Sequence, residues 1–561
     1  MQVSKKRVKV QREKMGWAPA WFAGVCLVLG GCSSGVDTPS PGGVGGGDDP
    51  GSGGDPGGGG DPGGGGDPGG GGGGSSSTSL EQKDSFTTDD VLHLLERTHF
   101  GVRESEFDQV IAMGLPMYVD DMLLLPTPGT TAAEAQAFEW LINGTDPLGL
   151  EGMFPDTDDL AHWWLHLMMH SEHPFQEQLA FFWHDHFAVP VASFKGDQRH
   201  WIKEYVDLLR EKGTGNFRDL LESISRDAAI AKSLDQTDND EDNINENYAR
   251  ELWELFSLGV DNGYTHTDIR ESARAHTGLK IVDDPQTSLE SVAFDAEEHA
   301  DDEKVFLGST VAAQHGAGAS EHDDVAAVID ITLGFAGPNG DAAAFICGKI
   351  LEHYYSVDPP AELVDGLAEI LRDGWELEPV FATLFKSEAF YSDAARDPMA
   401  RSPVAAGIGF MRSTGLLVSA HRISGNFDSA GMLPTQPPDV DGWDAGFELL
   451  SSIGLLEIAN LARDAVVDRT YQEQELGLDI STLLPDGPQQ AADVIDHWAH
   501  WLRLEVTAAE RDLLIEYMDT ARYANGEVHD SPFDPDDLGH LDERLRGLLY
   551  ILAQHPTFML S

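Results

Sequence analysis

Two histidines end a strongly apolar segment of the sequence, in the run FWHDHF at residues 182–187. Imidazole nitrogens act as general acids and bases near neutral pH, and they also bind transition metals. Residues two apart on a continuous helix point about 200° from each other, so His184 and His186 could share one metal only if the helix ends there. Pro190 favours such an end. The alternative is one histidine hydrogen-bonded in the core and the other at the surface.

A second polar segment is the run NENYARELWELFSLG at residues 245–259. On a helix its Asn247, Arg250, Glu251 and Glu254 fall at i, i+3, i+4 and i+7 and therefore share one face. Glu246 lies four residues before Arg250, which is the spacing of a helical ion pair. The pattern fits a solvated face or a partly buried polar network. We favour the network, because the amide and carboxylate groups are followed one turn later by an aromatic residue.

A third polar segment supplies His299 and Lys304, separated by three acids. Carboxylates with histidines suit general acid/base or metal-assisted hydrolysis, and Arg250 and Lys304 would hold an anionic part of a ligand. His184, His186 and Glu251 form the predicted metal set, with a divalent metal as the cofactor. The whole predicted site consists of His184, His186, Glu246, Arg250, Glu251, Glu254, His299 and Lys304. The alternative is a non-enzymatic surface protein in which this network is structural and positions helices for a partner.

Two other patterns have the spacing of metal sites, although a polar histidine stripe without a nearby carboxylate is the alternative for the first. His162, His166 and His170 recur every four residues, a spacing that can chelate zinc, nickel or copper on one helix face. Near-alternating acids at residues 235–243 resemble a calcium loop, but the EF-hand glycine position holds Asn243, so only a looser site reaching to Glu246 remains.

These residues need a helical body to position them, and the apolar spacing past residue 80 predicts one. We expect a mainly α fold with at most one small hairpin, at residues 280–283 and 291–294. Amphipathic helices are predicted at residues 158–170, 174–186, 198–211, 245–258, 265–277, 341–354, 361–373, 401–416, 490–503, 507–524 and 537–554. Thr265 and Asp268 have the spacing of a capping box. The formal net charge is −60, so a nucleic-acid-binding protein is excluded.

The N-terminus predicts export. Six basic residues precede an apolar stretch at residues 17–29 that is too short to span a bilayer. Leu29-Gly30-Gly31-Cys32 resembles the bacterial lipobox, which implies cleavage after residue 31 and acylation of Cys32. An ordinary secretory signal is the alternative. We expect the general secretory route and an outer-membrane or cell-surface location, with the membrane held through the lipid and an exported protein or surface polymer as the partner of the body.

The mature chain is predicted to begin with a disordered tether. Residues 32–79 are almost entirely Gly, Asp, Pro and Ser after the cysteine, so they offer no apolar surface to bury. A helical core follows at residues 80–465, and residues 466–561 form a C-terminal helical part of the same body. Cys347 is expected to be a buried thiol without a partner.

Five segments in order resemble one bacterial family, catalogued as Domain of Unknown Function 1800. They are LLERTHFG at residues 94–101, FWHDHF at 182–187, NENYARELWELFSLG at 245–259, the stretch 264–278 and PPDVDGW at 437–443. The resemblance implies exported, mainly helical proteins of unproven activity. Several positions depart from the family pattern. Gln176 and Gln178 replace basic residues beside Glu177, His266 replaces a glutamate, and Ala300 replaces the aspartate of a His-Asp pair.

Overall fold

The computed structural model describes residues 78–124, 157–194, 196–283, 290–313, 323–522 and 526–560. The first helices in these ranges are α1 (Thr88–Thr98), α2 (Glu104–Met113), α3 (Leu115–Tyr118), α4 (Thr157–His170), α5 (Pro174–His186), α6 (His200–Lys212), α7 (Phe217–Ser225), α8 (Ala228–Ser233), α9 (Asn247–Glu254) and α10 (His266–Ala275). The later ones are α11 (Asp323–Leu333), α12 (Ala342–Tyr354), α13 (Ala361–Arg372), α14 (Leu377–Lys386), α15 (Pro403–Thr414), α16 (Ala420–Ser429), α17 (Ser452–Val467), α18 (Ala491–Trp501), α19 (Ala508–Asp519), α20 (Leu538–His540) and α21 (Arg546–Leu552).

Strands are short and form only two-stranded antiparallel sheets in the described ranges. The pairs are β1 (Leu279–Asp283) with β2 (Glu290–Phe294), β3 (Lys304–Phe306) with β4 (Ser309–Val311), β5 (Ala336–Gly337) with β6 (Gly340–Asp341), and β7 (Thr520–Arg522) with β8 (Val528–Asp530). The mainly α fold is confirmed, and so is the predicted hairpin, which is β1–β2. Three further hairpins correct the expectation of at most one, because strands of two or three residues are too short to show an alternating pattern.

Helix starts follow the expected local chemistry. The Thr265 side chain accepts from the Asp268 amide, and the Asp268 carboxylate accepts from the Thr265 amide, which confirms the capping box at α10. Pro174 occupies the first turn of α5, where its missing N–H costs nothing. These features fix where α10 and α5 begin, and α5 carries two residues of the predicted site.

One fully buried acid of the helical core is paired with a cation from another helix. Glu177 on α5 is fully buried, and its Oε1 accepts a hydrogen bond from Nη2 of Arg210 on α6, at 2.8 Å. The indole of Trp164 also donates to this carboxylate, at 3.2 Å. The counter-charge that Gln176 and Gln178 cannot supply therefore comes from a neighbouring helix. Breaking such a pair leaves a buried charge alone and costs far more than the pair itself contributes.

Two further predictions concern Cys347 and the N-terminal segment. Cys347 is a buried free thiol, as expected, and burial raises the pKa of its side chain to about 12. Within the described ranges, no helix is both long and apolar enough to cross a bilayer. Cys32, the signal segment and nearly all of the tether lie outside the described residues.

Candidate functional site

One cavity of the described body has a volume of about 450 Å³. Three of the five motif segments line it, whereas α9 does not. The lining side chains come from α1 and the turn after it, from α5, from α12, and from the chain around residues 399–405 and 443–449. Aromatic groups form much of its wall: Phe100, Phe181, Phe182 and Trp443. A cavity of this size and mixed character is typical of a small-molecule site or of a pocket for part of a polymer.

Asp185 connects two motif segments at the cavity wall. Its Oδ1 accepts a hydrogen bond from the backbone N–H of Trp443, at 2.7 Å. Gly442 has a φ of 80°, and a Cβ on it would lie 2.3 Å from Asp185 Oδ1 and 2.5 Å from the Asp185 carbonyl oxygen. Only glycine fits this close approach. The PPDVDGW segment is therefore held against α5 by one carboxylate.

The environment of Asp185 perturbs its ionisation. Burial raises the pKa of this carboxyl group from 3.8 to about 6, although the N–H of Trp443 and the charge of Lys349 oppose the shift. Oδ2 has no hydrogen-bond partner among the described residues, while Asp185 lines the cavity. A half-buried acid with a pKa near neutrality and one uncommitted oxygen can both donate and accept a proton.

The lysine and arginine side chains of the cavity wall already have protein partners. Arg401 Nη2 lies 2.7 Å from Glu96 Oε1, and Lys349 Nζ lies 3.2 Å from Glu352 Oε2. Arg97 donates to the carbonyl oxygen of Ala395 at 2.8 Å. These cations therefore hold the walls in place rather than presenting an open positive site.

His184 and His186 lie on α5, which runs to residue 186. His184 is fully buried against Trp164, Tyr205 and Trp443, and neither of its ring nitrogens has a hydrogen-bond partner among the described residues. Burial lowers its pKa to about 3, so the ring is neutral. His186 donates through Nε2 to the carbonyl oxygen of Phe256, at 3.1 Å, and burial lowers its pKa to about 4.

The predicted metal set is not assembled. No three His, Cys, Asp or Glu side chains of the described ranges form a group that could hold a metal ion, so His184, His186 and Glu251 are not joint ligands. The reason is helical geometry. The helix continues through both histidines, and residues two apart on it point to different neighbours.

The polar face of α9 is partly buried. Arg250 pairs with Glu246 at 3.2 Å and with Glu254 at 3.3 Å, and the side chains of Arg250, Glu254 and Glu246 are 35%, 26% and 19% exposed. His266 lies 3.4 Å from Glu246. The residues predicted here do come together, as a partly buried ion-pair network.

Glu251 is the most perturbed acid of this face. Burial raises its pKa to about 7, the charges of Glu254 and Asp441 raise it further, and Arg250 lowers it. Asp441 belongs to the PPDVDGW segment, whose Trp443 contacts Asp185. This segment therefore lies between α5 and α9 and influences an acid on each.

His299 and Lys304 form a separate buried cluster with Asp324. Lys304 Nζ donates to Asp324 Oδ2 at 2.6 Å, and His299 Nε2 lies 3.0 Å from the same oxygen. His299 Nδ1 donates to the carbonyl oxygen of Thr277 at 2.9 Å. Burial opposes ionisation of Asp324, but the bonds from His299 and Lys304 outweigh it and lower the pKa. None of the three lines the cavity, so the eight predicted residues occupy three places rather than one.

The side chains of the two other predicted metal sites contact other protein groups. The His162 ring packs on His421, with its Nε2 2.8 Å from Ser424 Oγ, and His166 stacks on His170 with ring centroids 4.3 Å apart. In the acidic loop, Asp240 Oδ1 accepts from the Asn243 amide at 2.8 Å, while Oδ2 faces Lys280.

Sequence reasoning missed three functional or charge-balancing residues: Asp185, Asp324 and Arg210. Asp185 stands between the two histidines that were selected, and the signal for it was the presence of FWHDHF and PPDVDGW in one family pattern. Asp324 and Arg210 had no local signal, because each meets its partner across elements distant in sequence.

Comparison with known proteins gives a family and no function. Neither the curated proteins nor the solved structures contain a match to the chain. One family model, described as a protein of unknown function (DUF1800), matches residues 93–560, which is most of the chain. The resemblance carried by the five segments is thereby confirmed, and the chain belongs to this family.

Proposed function

We propose that the protein is an exported, lipid-anchored hydrolase whose cavity uses the carboxyl group of Asp185 as general acid and base. The observation that carries the proposal is the position of this acid, half-buried at the cavity wall with a pKa of about 6. A catalytic acid works best when its pKa lies near the working pH, because both protonation states are then populated. Export and anchoring rest on the lipobox-like run that ends at Cys32.

The hydrolytic step can be written with this one residue. As a carboxylate, Asp185 accepts through Oδ2 a proton from water while the water oxygen forms a bond to the electrophilic carbon. The protonated Asp185 then donates that proton to the leaving group as the scissile bond breaks. Trp443 fixes the carboxylate through its N–H to Oδ1.

Asp185→Asn tests this role directly, because the amide oxygen still accepts from the Trp443 N–H while the group no longer titrates. A p-nitrophenyl ester and a peptide p-nitroanilide are suitable probes. We expect hydrolysis by the wild type with a transition in rate near pH 6, and at least a tenfold loss in the variant. Equal rates in both proteins would refute the role of Asp185.

A non-enzymatic binding function is the second candidate. It is favoured by the pairing of the cavity cations, since Arg401 and Lys349 are already neutralised by Glu96 and Glu352. In that case Asp185 only closes the wall through Trp443. Ligand binding without turnover, unchanged in Asp185→Asn, would support this alternative.

The anchor has its own test. Cys32→Ser removes the acceptor for the lipid, so we expect the variant to leave the membrane fraction after washing without detergent. Retention of the variant in the membrane fraction would contradict the proposed anchor.

A further inference from the structure

Four large apolar side chains are exposed on chain segments that include or follow cavity-lining residues. Val357, Phe447, Ile453 and Leu456 are each 54% to 65% exposed, and we call them the apolar ledge. Leaving such groups in water is unfavourable, and a cluster of them marks an interaction site more reliably than one exposed residue does. The core does not need them, so their exposure requires another explanation.

Part of the ledge borders the cavity. Val357 lines the cavity and lies against Gly446, at 3.7 Å from the position that a Cβ there would take. Phe447 follows Gly446 directly, and the amide of Leu450 bonds back to its carbonyl oxygen at 3.1 Å. Ile453 and Leu456 are three residues apart in the first two turns of α17, so they share one face. The start of α17 is close to the cavity wall, since a Cβ on Gly454 would lie 3.7 Å from the carbonyl oxygen of Leu449. Phe447, Ile453 and Leu456 therefore belong to a stretch of chain that also forms part of the wall.

Charge along the chain that carries most of the ledge is mainly negative. Residues 437–462 contain five acids and neither lysine nor arginine, and Arg463, which follows them on α17, pairs with Asp464 at 3.0 Å. Four carboxylates close to ledge residues in the sequence are exposed: Glu352, Asp358, Asp444 and Glu448. A cation of the cavity wall, Lys349, is paired with Glu352 at 3.2 Å.

From this combination we propose that the apolar ledge binds an apolar segment of a polypeptide that carries basic residues, and leads it into the cavity. The inference rests on the proposed function of the cavity, for which it names the substrate class. Only a chain with apolar and basic groups side by side satisfies both the ledge and its acidic border. An anionic lipid surface would be repelled, and so would a second copy of this chain, whose formal net charge is −60.

Binding of labelled synthetic peptides tests the proposal. The background is the full chain carrying Cys32→Ser, which needs no detergent. The probe is a peptide of alternating leucine and lysine, compared with one in which glutamate replaces lysine and one in which serine replaces leucine. We expect the leucine–lysine peptide to bind at least tenfold more tightly than either control.

Two matched triple variants locate the binding. Phe447→Ser, Ile453→Ser and Leu456→Ser together remove most of the ledge. Met117→Ser, Val260→Ser and Leu538→Ser remove three comparably exposed apolar groups from elsewhere. We expect the first variant to bind the leucine–lysine peptide at least tenfold more weakly and the second to bind like its parent, with both retaining the parent thermal midpoint.

Three results would overturn the inference. They are equal binding by both triple variants, equal binding of the glutamate peptide, and ledge-dependent binding to phosphatidylcholine vesicles without peptide binding. Hydrolysis of a p-nitrophenyl ester is measured separately, since so small a probe needs only the cavity. Loss of ester hydrolysis in Asp185→Asn concerns the proposed chemistry, whereas loss of peptide binding in the ledge variant concerns the ledge.

Discussion

Replacing Asp185 by asparagine should stabilise the protein at neutral pH. Burial raises the pKa of this carboxyl group to about 6 in the folded chain, against 3.8 for an exposed one. One unit of difference between folded and unfolded pKa corresponds to about 1.4 kcal/mol, so the ionised Asp185 costs about 3 kcal/mol of folding free energy above pH 6. Asparagine avoids this cost and still accepts from the Trp443 N–H.

The sign of the pH dependence follows from the proton count. Between about pH 4 and pH 6 the folded state binds more protons at this position than the unfolded state, so the free energy of unfolding falls as the pH rises through that window. Asp185→Asn lacks this pH-dependent contribution to the free energy of unfolding, because asparagine does not titrate. We therefore expect it to exceed the wild type by up to about 3 kcal/mol at pH 7.5 and to match it near pH 4.

Urea denaturation of both proteins at pH 4, 5, 6 and 7.5 measures the effect. Asp444→Asn serves as the control, because Asp444 is an exposed acid in the same cavity wall and its replacement should change stability little at any pH. If Asp185→Asn is no more stable than the wild type at pH 7.5, the carboxylate is not desolvated, and the argument for a catalytic acid at this position loses its basis. A stabilised but inactive variant is the expected signature of a functional residue that costs stability.

Four further changes have distinct expected outcomes. Gly442→Ala should destabilise the body by about 1–3 kcal/mol from its left-handed backbone alone, and the melting temperature should fall accordingly. Arg210→Met should cost about 3–5 kcal/mol by leaving Glu177 buried and unpaired, and a second change of Glu177 to glutamine should restore much of it in urea denaturation. Arg250→Ala should cost only about 1 kcal/mol, because its ion pairs lie on a partly exposed face, and added salt should shrink the difference. Cys32→Ser should move the protein from the membrane fraction to the soluble fraction, as fractionation and immunoblotting would show.

Long periodic helices were predictable, whereas short elements were not. Helices α4, α5, α10, α12 and α13 lie within one or two residues of their predicted ranges, because an apolar stripe marks each of them and α10 and α12 also begin at a capping residue. Helices such as α8, with six residues, show too little of a helical period. α9 ends at Glu254, not near residue 258 as predicted, since the amides of Leu258 and Gly259 both bond to the carbonyl oxygen of Trp253.

The candidate site was predictable in its segments but not in its geometry. The sequence pointed to FWHDHF and NENYARELWELFSLG, yet it could not show that Asp185, rather than either flanking histidine, lines the cavity. His299 and Lys304 were expected to join the same site. They instead meet Asp324, which satisfies a buried lysine at a distance of 2.6 Å. Such pairings depend on tertiary contacts, and helical spacing carries no information about them.

The hydrogen bond between Asp185 and Trp443 has a consequence for how the protein folds. It joins residues 258 positions apart. A very long loop must therefore close before α5 and the PPDVDGW segment can line the cavity together. Contacts of such sequence separation are slow to form and have no local structure to support them. The cavity is therefore expected to be among the last features acquired during folding. A chain truncated before residue 442 would retain many helices, including α5 with its acid in place, but would have no closed cavity in which that acid could act.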